Sequence, residues 1–250
     1  MNDVEIKPQV YKDPRPAELF TEYHERVRDH PPEWIYEVVR VATVTFAVSA
    51  FRLRAYGAEN VPDGPVILAP NHASFMDHFF CAACIRRHVQ FMAKSQLFGS
   101  GVMSWVYNHG GVFPVRRGHH DEEAFITAFE ILERGGLVCM YVEGGRSRTG
   151  EVGTDARPGV GRLALDSGAA IVPVGILGSH RVRNWKRGRF PKVVVQYGTP
   201  IAYERIDSST REQQQVVADE ILRRIRVLHD GLAERRGKPA PRAAPQGRAT

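Results

Sequence analysis

His72 and Asp77 stand five positions apart in Asn71-His72-Ala73-Ser74-Phe75-Met76-Asp77, just after the apolar run Val66-Ile67-Leu68-Ala69. Imidazole is the side chain best suited to accept a proton near neutral pH. A carboxylate on its other ring nitrogen would fix the tautomer and stabilise the imidazolium. No nucleophilic Ser or Cys elbow adjoins the pair. The chemistry implied is deprotonation of a substrate hydroxyl by His72, as acyl transfer between two substrates requires.

The spacing constrains the local structure. On a continuous helix, side chains meet at i+3 and i+4, whereas i+5 lies about 140° round the axis at about 3.6 residues per turn. His72 and Asp77 can meet only if His72 sits in a loop and Asp77 in the first turn of the following helix, with Ser74 as N-cap. Ser74-x-x-Asp77 is also a capping-box variant whose acid complements the helix dipole. The capping and catalytic readings are compatible.

Three further blocks follow: Gly111-Val112-Phe113-Pro114-Val115-Arg116-Arg117, Tyr141-Val142-Glu143-Gly144-Gly145-Arg146-Ser147-Arg148, and Ile171-Val172-Pro173-Val174. In this order, and with Asn71 to Asp77, they resemble the glycerolipid acyltransferase family, particularly the 1-acylglycerol-3-phosphate acyltransferases, over roughly residues 58 to 200. The resemblance implies that His72 deprotonates the acceptor hydroxyl, with Asp77 as its orienter, for attack on the thioester of acyl-CoA or acyl carrier protein. It implies a lysophospholipid acceptor, phosphatidate as product, no further cofactor, no metal and no covalent acyl-enzyme.

Arg117 matches the family's phosphate-binding Arg, a residue type suited to bidentate phosphate contact. Glu143, Gly144, Gly145 and Arg146 match a substrate-binding block: a carboxylate for glycerol hydroxyls, glycines that let backbone N–H groups approach an anion, and a second Arg. The chain departs from the family pattern at Gly145, where Thr is usual, at Arg116, where an acid is frequent, and at Arg157, where Lys is expected. An additional anionic head group, or a different lysolipid, would suit the extra Arg116. Glycerol-3-phosphate or another lysolipid or glycolipid is the alternative acceptor.

Two other classes compete. A metallohydrolase could draw on His72, Asp77 and His78 with His109, His119 or His120, although no metal signature such as H-E-x-x-H is present. A non-catalytic binder of anionic membrane or nucleic acid would also suit the charge. The resemblance favours lipid partners and no nucleic acid.

The 250 residues are 43% hydrophobic, enough for one domain with a substantial core, and carry a net charge of +6. Such a balance suits lipid phosphates, an acidic bilayer, CoA phosphates or an acidic carrier protein. Cys81, Cys84 and Cys139 form no disulfide framework and fit a reducing cytosol. Residues 1 to 30 are polar, without a secretory signal.

The uncharged stretch Val41 to Phe51 makes only about 16 Å of helix, whereas about 30 Å of hydrocarbon must be crossed. Trp34, Tyr36, Arg40, Arg52 and Arg54 flank it. This suggests an amphipathic helix lying in the membrane surface, the alternative being a helix packed on the domain. The expected location is peripheral, at the cytoplasmic face of a membrane.

After Gly57, apolar runs and helical patterns alternate. Strands are expected at 65–70, 89–94, 111–116, 137–142, 170–176 and 192–197, and helices at 75–87, 100–109, 121–134, 158–167 and 209–230. The pattern predicts an α/β fold, a mostly buried mixed sheet flanked by helices. The expected organisation is an N-terminal polar segment and membrane helix over 1–57, a catalytic domain over 58–234, and a disordered basic tail over 235–250. Between His180 and Lys192, the cations Arg181, Arg183, Lys186, Arg187, Arg189 and Lys192 surround Trp185 and Phe190 without an acid. This run is expected to form a loop that meets anionic lipid or donor phosphates.

Overall fold

The computed structural model describes residues 12–99, 101–119, 121–147 and 149–235. The expected tail beyond residue 235, the first eleven residues of the N-terminal segment, His120 and Arg148 lie outside the described residues. In chain order the main elements are α1 (Thr21–Asp29), α2 (Trp34–Phe51), β1 (Arg54–Tyr56), β2 (Val66–Pro70), α3 (Asp77–Ala82), β3 (Gln90–Lys94) and α4 (Val102–His109). There follow β4 (Val112–Val115), α5 (Glu122–Glu133), β5 (Leu137–Cys139), α6 (Gly159–Ser167), β6 (Ala170–Leu177), β7 (Val194–Tyr197) and α7 (Arg211–Arg235).

The strands form one seven-stranded sheet in the order β1-β7-β6-β2-β5-β3-β4. β6 and β7 are antiparallel, and every other neighbouring pair is parallel. Both faces are covered, which is why the central strands read as unbroken apolar runs. Successive side chains of β2 alternate between the two cores. Val66 and Leu68 pack with Ala47 and Phe51 of α2 and Phe80 of α3. Ile67 and Ala69 pack with Ile131 of α5, Leu163 of α6 and Ile221 and Ile225 of α7. Helices α6 and α7 cross closely at Gly161, where a Cβ would stand 1.9 Å from the Gln214 carbonyl oxygen.

Four local expectations change. The helix expected at 75–87 closes at Ala82, and Arg87 beyond it donates to the carbonyls of Pro62, Gly64 and Gly135. The strand expected at 137–142 ends at Cys139; Met140 N–H makes a last bond to the Leu68 carbonyl, and Tyr141 and Val142 turn out of the sheet. The basic run contains a 3-10 helix over Ser179–Arg187, held by buried Val182. β1 precedes the expected boundary at residue 57 yet belongs to the sheet through β7. Likewise α1 packs Val27 into the core, so the described N-terminal segment is built into the domain.

Helix α2 also differs from expectation. Its 18 residues, with mean hydropathy 1.3, are by length and composition sufficient to cross a membrane. Yet one face is anchored: Ala47 and Phe51 are fully buried. The other face exposes Trp34 (66%), Val38, Val41 (60%) and Val48.

Candidate active site

The parallel strands β2, β5, β3 and β4 end at the same edge of the sheet, and the loops leaving those ends converge there. After β2, Asn71 extends the ladder: its Nδ2 donates to the Ile176 carbonyl at 3.0 Å and its Oδ1 accepts the Ile176 N–H at 2.7 Å. The fourth sequence block forms part of β6, and its Val174 carbonyl accepts the Asn71 N–H. This clamp fixes the start of the loop that carries His72.

His72 Nδ1 lies 2.9 Å from Asp77 Oδ2. The same carboxylate oxygen accepts the backbone N–H groups of Ala73 and Ser74, each at 2.7 Å. Asp77 is the first residue of α3 and fully buried, and His72 is 8% exposed. Asp77 therefore orients the ring and closes the loop before the helix at once. Half of the expected capping box is present, in the bond from Ser74 N–H to Asp77. Ser74 Oγ instead accepts from Met76 N–H at 3.2 Å, and α3 starts later, after Met76.

A cavity of about 300 Å³ opens beside His72, lined by Lys94 at the end of β3, Arg117 after β4, and Tyr141 and Arg146 after β5. Three cationic side chains around one imidazole make an anion-accepting site with a base at its edge. His78 lines the same cavity, but burial pushes its pKa down to about 4, leaving it neutral at physiological pH.

A second, largely apolar cavity of about 340 Å³ runs between α2, α3 and α4, lined by residues such as Val39, Phe79, Met103 and Val106. It shares Phe75, His78, Phe91, Tyr107 and Val112 with the cationic cavity. An apolar chain lying in one would bring a polar head into the other.

The expected substrate-binding block divides. Arg117 and Arg146 reach the cavity with His72. Glu143 is committed to backbone: its Oε1 accepts His72 N–H at 2.9 Å and its Oε2 accepts Gly153 N–H at 2.8 Å. The carboxylate expected to meet glycerol hydroxyls thus joins two loops. Gly144 has φ +65° and packs against the Arg157 side chain, while a Cβ at Gly145 would meet nothing within 4 Å.

Arg116 is likewise structural: its guanidinium donates to the Arg15 carbonyl at 2.8 Å and its N–H to Asp121. The second head group suggested by Arg116 therefore has no basis in its contacts. Lys94, Tyr141 and the clamping role of Asn71 are site features that the sequence motifs do not assign. The signal for each was its place at or just beyond the C-terminal end of an apolar run.

Among the described residues, no three His, Cys, Asp or Glu side chains group as metal ligands would. His109 is instead engaged with Glu33 and Arg26.

A family model described as Acyltransferase matches residues 52–177. A chloroplastic 1-acyl-sn-glycerol-3-phosphate acyltransferase of Arabidopsis thaliana is 26% identical over 136 residues, covering 53% of this chain and 38% of that protein. A probable 1-acyl-sn-glycerol-3-phosphate acyltransferase of Mycoplasma pneumoniae is 24% identical over 222 residues, 81% of each. The chain spans 38% and 37% of the length of the two plant relatives it matches. The crystal structure of the 1-acyl-sn-glycerophosphate acyltransferase PlsC from Thermotoga maritima shares the fold. Its TM-score is 0.61 at 21% identity, with 89% of this chain and 91% of that one covered. The match to the family model spans half of the sequence, and its ordered blocks are those that converge on His72: the chain belongs to the acyltransferase family.

Proposed function

We propose that the protein is a 1-acylglycerol-3-phosphate O-acyltransferase, forming phosphatidate from lysophosphatidate and acyl-CoA or acyl carrier protein. The observation that carries this reading is the 2.9 Å contact between His72 Nδ1 and Asp77 Oδ2 at the edge of a cavity lined by Lys94, Arg117 and Arg146. Asp77 accepts a hydrogen bond from Nδ1–H, which keeps that proton on Nδ1 and leaves Nε2 as the basic nitrogen. The acceptor hydroxyl attacks the thioester carbon as His72 Nε2 takes its proton. The C–S bond then breaks, and the thiolate recovers a proton from His72. The lysophosphatidate phosphate lies with the three cations, and an acyl chain lies in the apolar cavity between α2 and α4.

The acyl donor is the sole co-substrate, and neither a metal nor a further cofactor takes part. The protein works as a peripheral protein at the cytoplasmic face of an anionic membrane. The outward face of α2 supplies apolar contact. Beside it, Trp185 stands 6.1 Å from the Phe46 ring and Phe190 stands 5.8 Å from the Phe51 ring. This arrangement ties the exposed cations Arg181, Arg183, Arg187 and Arg189 to the same end of α2. The resulting ridge, apolar and flanked by guanidinium groups, suits an acidic bilayer.

A second acceptor, glycerol-3-phosphate, is favoured by one match. A glycerol-3-phosphate acyltransferase of Colwellia psychrerythraea is 32% identical over 109 residues, 40% of this chain and 13% of that protein. The test is transfer of a labelled palmitoyl group from CoA to lysophosphatidate, glycerol-3-phosphate and lysophosphatidylcholine in micelles with chelator present. Labelled phosphatidate from the first supports the main reading. Product from glycerol-3-phosphate alone transfers the assignment to that acceptor, and no transfer with either CoA or carrier-protein donors overturns both.

A further inference from the structure

The ring of Tyr141 lies parallel to that of His72, with centroids 3.8 Å apart and planes inclined by 23°. The contact follows from topology. β2 and β5 are adjacent parallel strands, with Leu68 in register with Cys139. Met140 N–H still bonds to the Leu68 carbonyl at 2.9 Å. The chain then turns, and Tyr141 folds across the end of the neighbouring strand onto the imidazole. His72 is thus held from two directions: Asp77 at its edge and Tyr141 on its face.

The Tyr141 hydroxyl is buried and has no hydrogen-bond partner among the described residues. Burial pushes the phenol well above its usual range, so the ring stays neutral at physiological pH. What Tyr141 presents to His72 is its ring. The contribution of this position is therefore the aromatic face. An aromatic face attracts a cation through its quadrupole more than it attracts a neutral ring. The state of His72 that gains from the stack is the imidazolium, which exists after the acceptor proton has been taken.

We infer that Tyr141 is a positioning residue for His72, an aromatic platform that fixes the plane of the imidazole and favours its protonated form during transfer. The inference rests on His72 acting as the base in the proposed reaction. The other charged or titratable groups facing His72 are Asp77 and His78 from α3, Tyr107 from α4, Glu143 from the segment after β5, and Lys94, Arg117 and Arg146 across the cavity. All are retained when Tyr141 alone is changed, so the stack can be isolated.

The test combines two readouts on Tyr141→Phe, Tyr141→Leu and the volume-filling Tyr141→Met, each checked for folding by circular dichroism. NMR of the His72 ring gives its titration midpoint without reference to activity. Tyr141→Phe should keep the midpoint and the wild-type kcat, and should melt no lower than wild type. Tyr141→Leu and Tyr141→Met should lower the midpoint by about 0.5 pH unit. They should also reduce kcat about tenfold with KM for the acceptor nearly unchanged. An unchanged midpoint in Leu and Met variants overturns the inference, as does a Phe variant as impaired as they are. A shifted midpoint in a protein without acyl transfer would instead count against the proposed reaction and leave the platform standing.

Discussion

Glu143 Oε1 accepts the backbone N–H of His72 at 2.9 Å, across 71 positions of sequence. Its other oxygen holds Gly153 N–H, and the Gly153 carbonyl in turn accepts from Arg226 of α7 at 2.7 Å. Ser147 N–H closes the ring of contacts on the His72 carbonyl at 2.7 Å. The loop carrying the proposed base is thus stitched to the loop after β5 by the Glu143 carboxylate and one backbone hydrogen bond.

Replacing Glu143 should therefore act on His72 and not on acceptor affinity. In Glu143→Gln, the amide can accept only one of the two N–H groups and sets an NH₂ against the other. The expected result is a loss of about 1–3 kcal/mol of stability, with kcat down about tenfold or more and acceptor KM within a few-fold. Chemical denaturation and steady-state kinetics check it. A change confined to acceptor KM would restore a substrate-binding role for this side chain.

Arg117 and Arg146 should behave in the opposite way. A hydrogen bond to a charged group contributes about 1.5–3 kcal/mol, so each Arg→Gln change is expected to weaken the acceptor about 10- to 100-fold. The effect should fall chiefly on KM for phosphate-bearing acceptors, with folding intact. Comparison of lysophosphatidate with an uncharged monoacylglycerol, whose use should be unaffected, distinguishes phosphate contact from general damage.

Stability should fall in mild acid. Burial pushes His24 and His78 each down to about 4, against 6.5 for the free side chain. Between those values the unfolded chain binds more protons than the folded one, so acid favours unfolding. Their contribution is fully present above about pH 6.5 and is lost as pH falls toward 4. Urea midpoints measured across this window should drop for wild type and drop less for a His24→Gln/His78→Gln variant. A pH dependence identical in both proteins would contradict the assignment.

Membrane binding should divide into two parts. Changing Arg181, Arg183, Arg187 and Arg189 to Gln is expected to abolish preference for acidic over zwitterionic vesicles. Each near-surface cation is worth about 1 kcal/mol on an acidic bilayer at low salt. Changing Val38, Val41 and Val48 of α2 to Ser should weaken binding to both vesicle types. Vesicle sedimentation at two salt concentrations measures each, and unaltered binding in both variants would remove the ridge from the account.

What could be read from the chain alone followed the range of the interaction. His72 and Asp77 were legible because their partnership is local and their spacing admits only a loop-to-helix geometry. The buried strands were legible because β2 and β6 meet core on both faces and therefore stay apolar throughout. Long-range commitments carry no such mark. Nothing near Glu143 announces that its oxygens are spent on His72 and Gly153, or that the Arg116 side chain reaches the Arg15 carbonyl. β1 is only three residues long, too short for alternation to register, and exists as a strand because β7 offers it an edge. The helix expected to continue to residue 87 ends at Ala82, and the Arg87 guanidinium beyond it serves three carbonyls distant in sequence.

In the proposed reaction His72, oriented by Asp77, takes the acceptor proton. The most direct test is palmitoyl transfer from CoA to lysophosphatidate by wild type, His72→Ala and Asp77→Asn, side by side in micelles with chelator. Labelled phosphatidate is expected from wild type. The expected loss is about two orders of magnitude or more in His72→Ala, and of comparable or greater size in Asp77→Asn through the wrong tautomer. Equal product from wild type and His72→Ala would contradict this role for His72 and reduce the pair to a cap on α3.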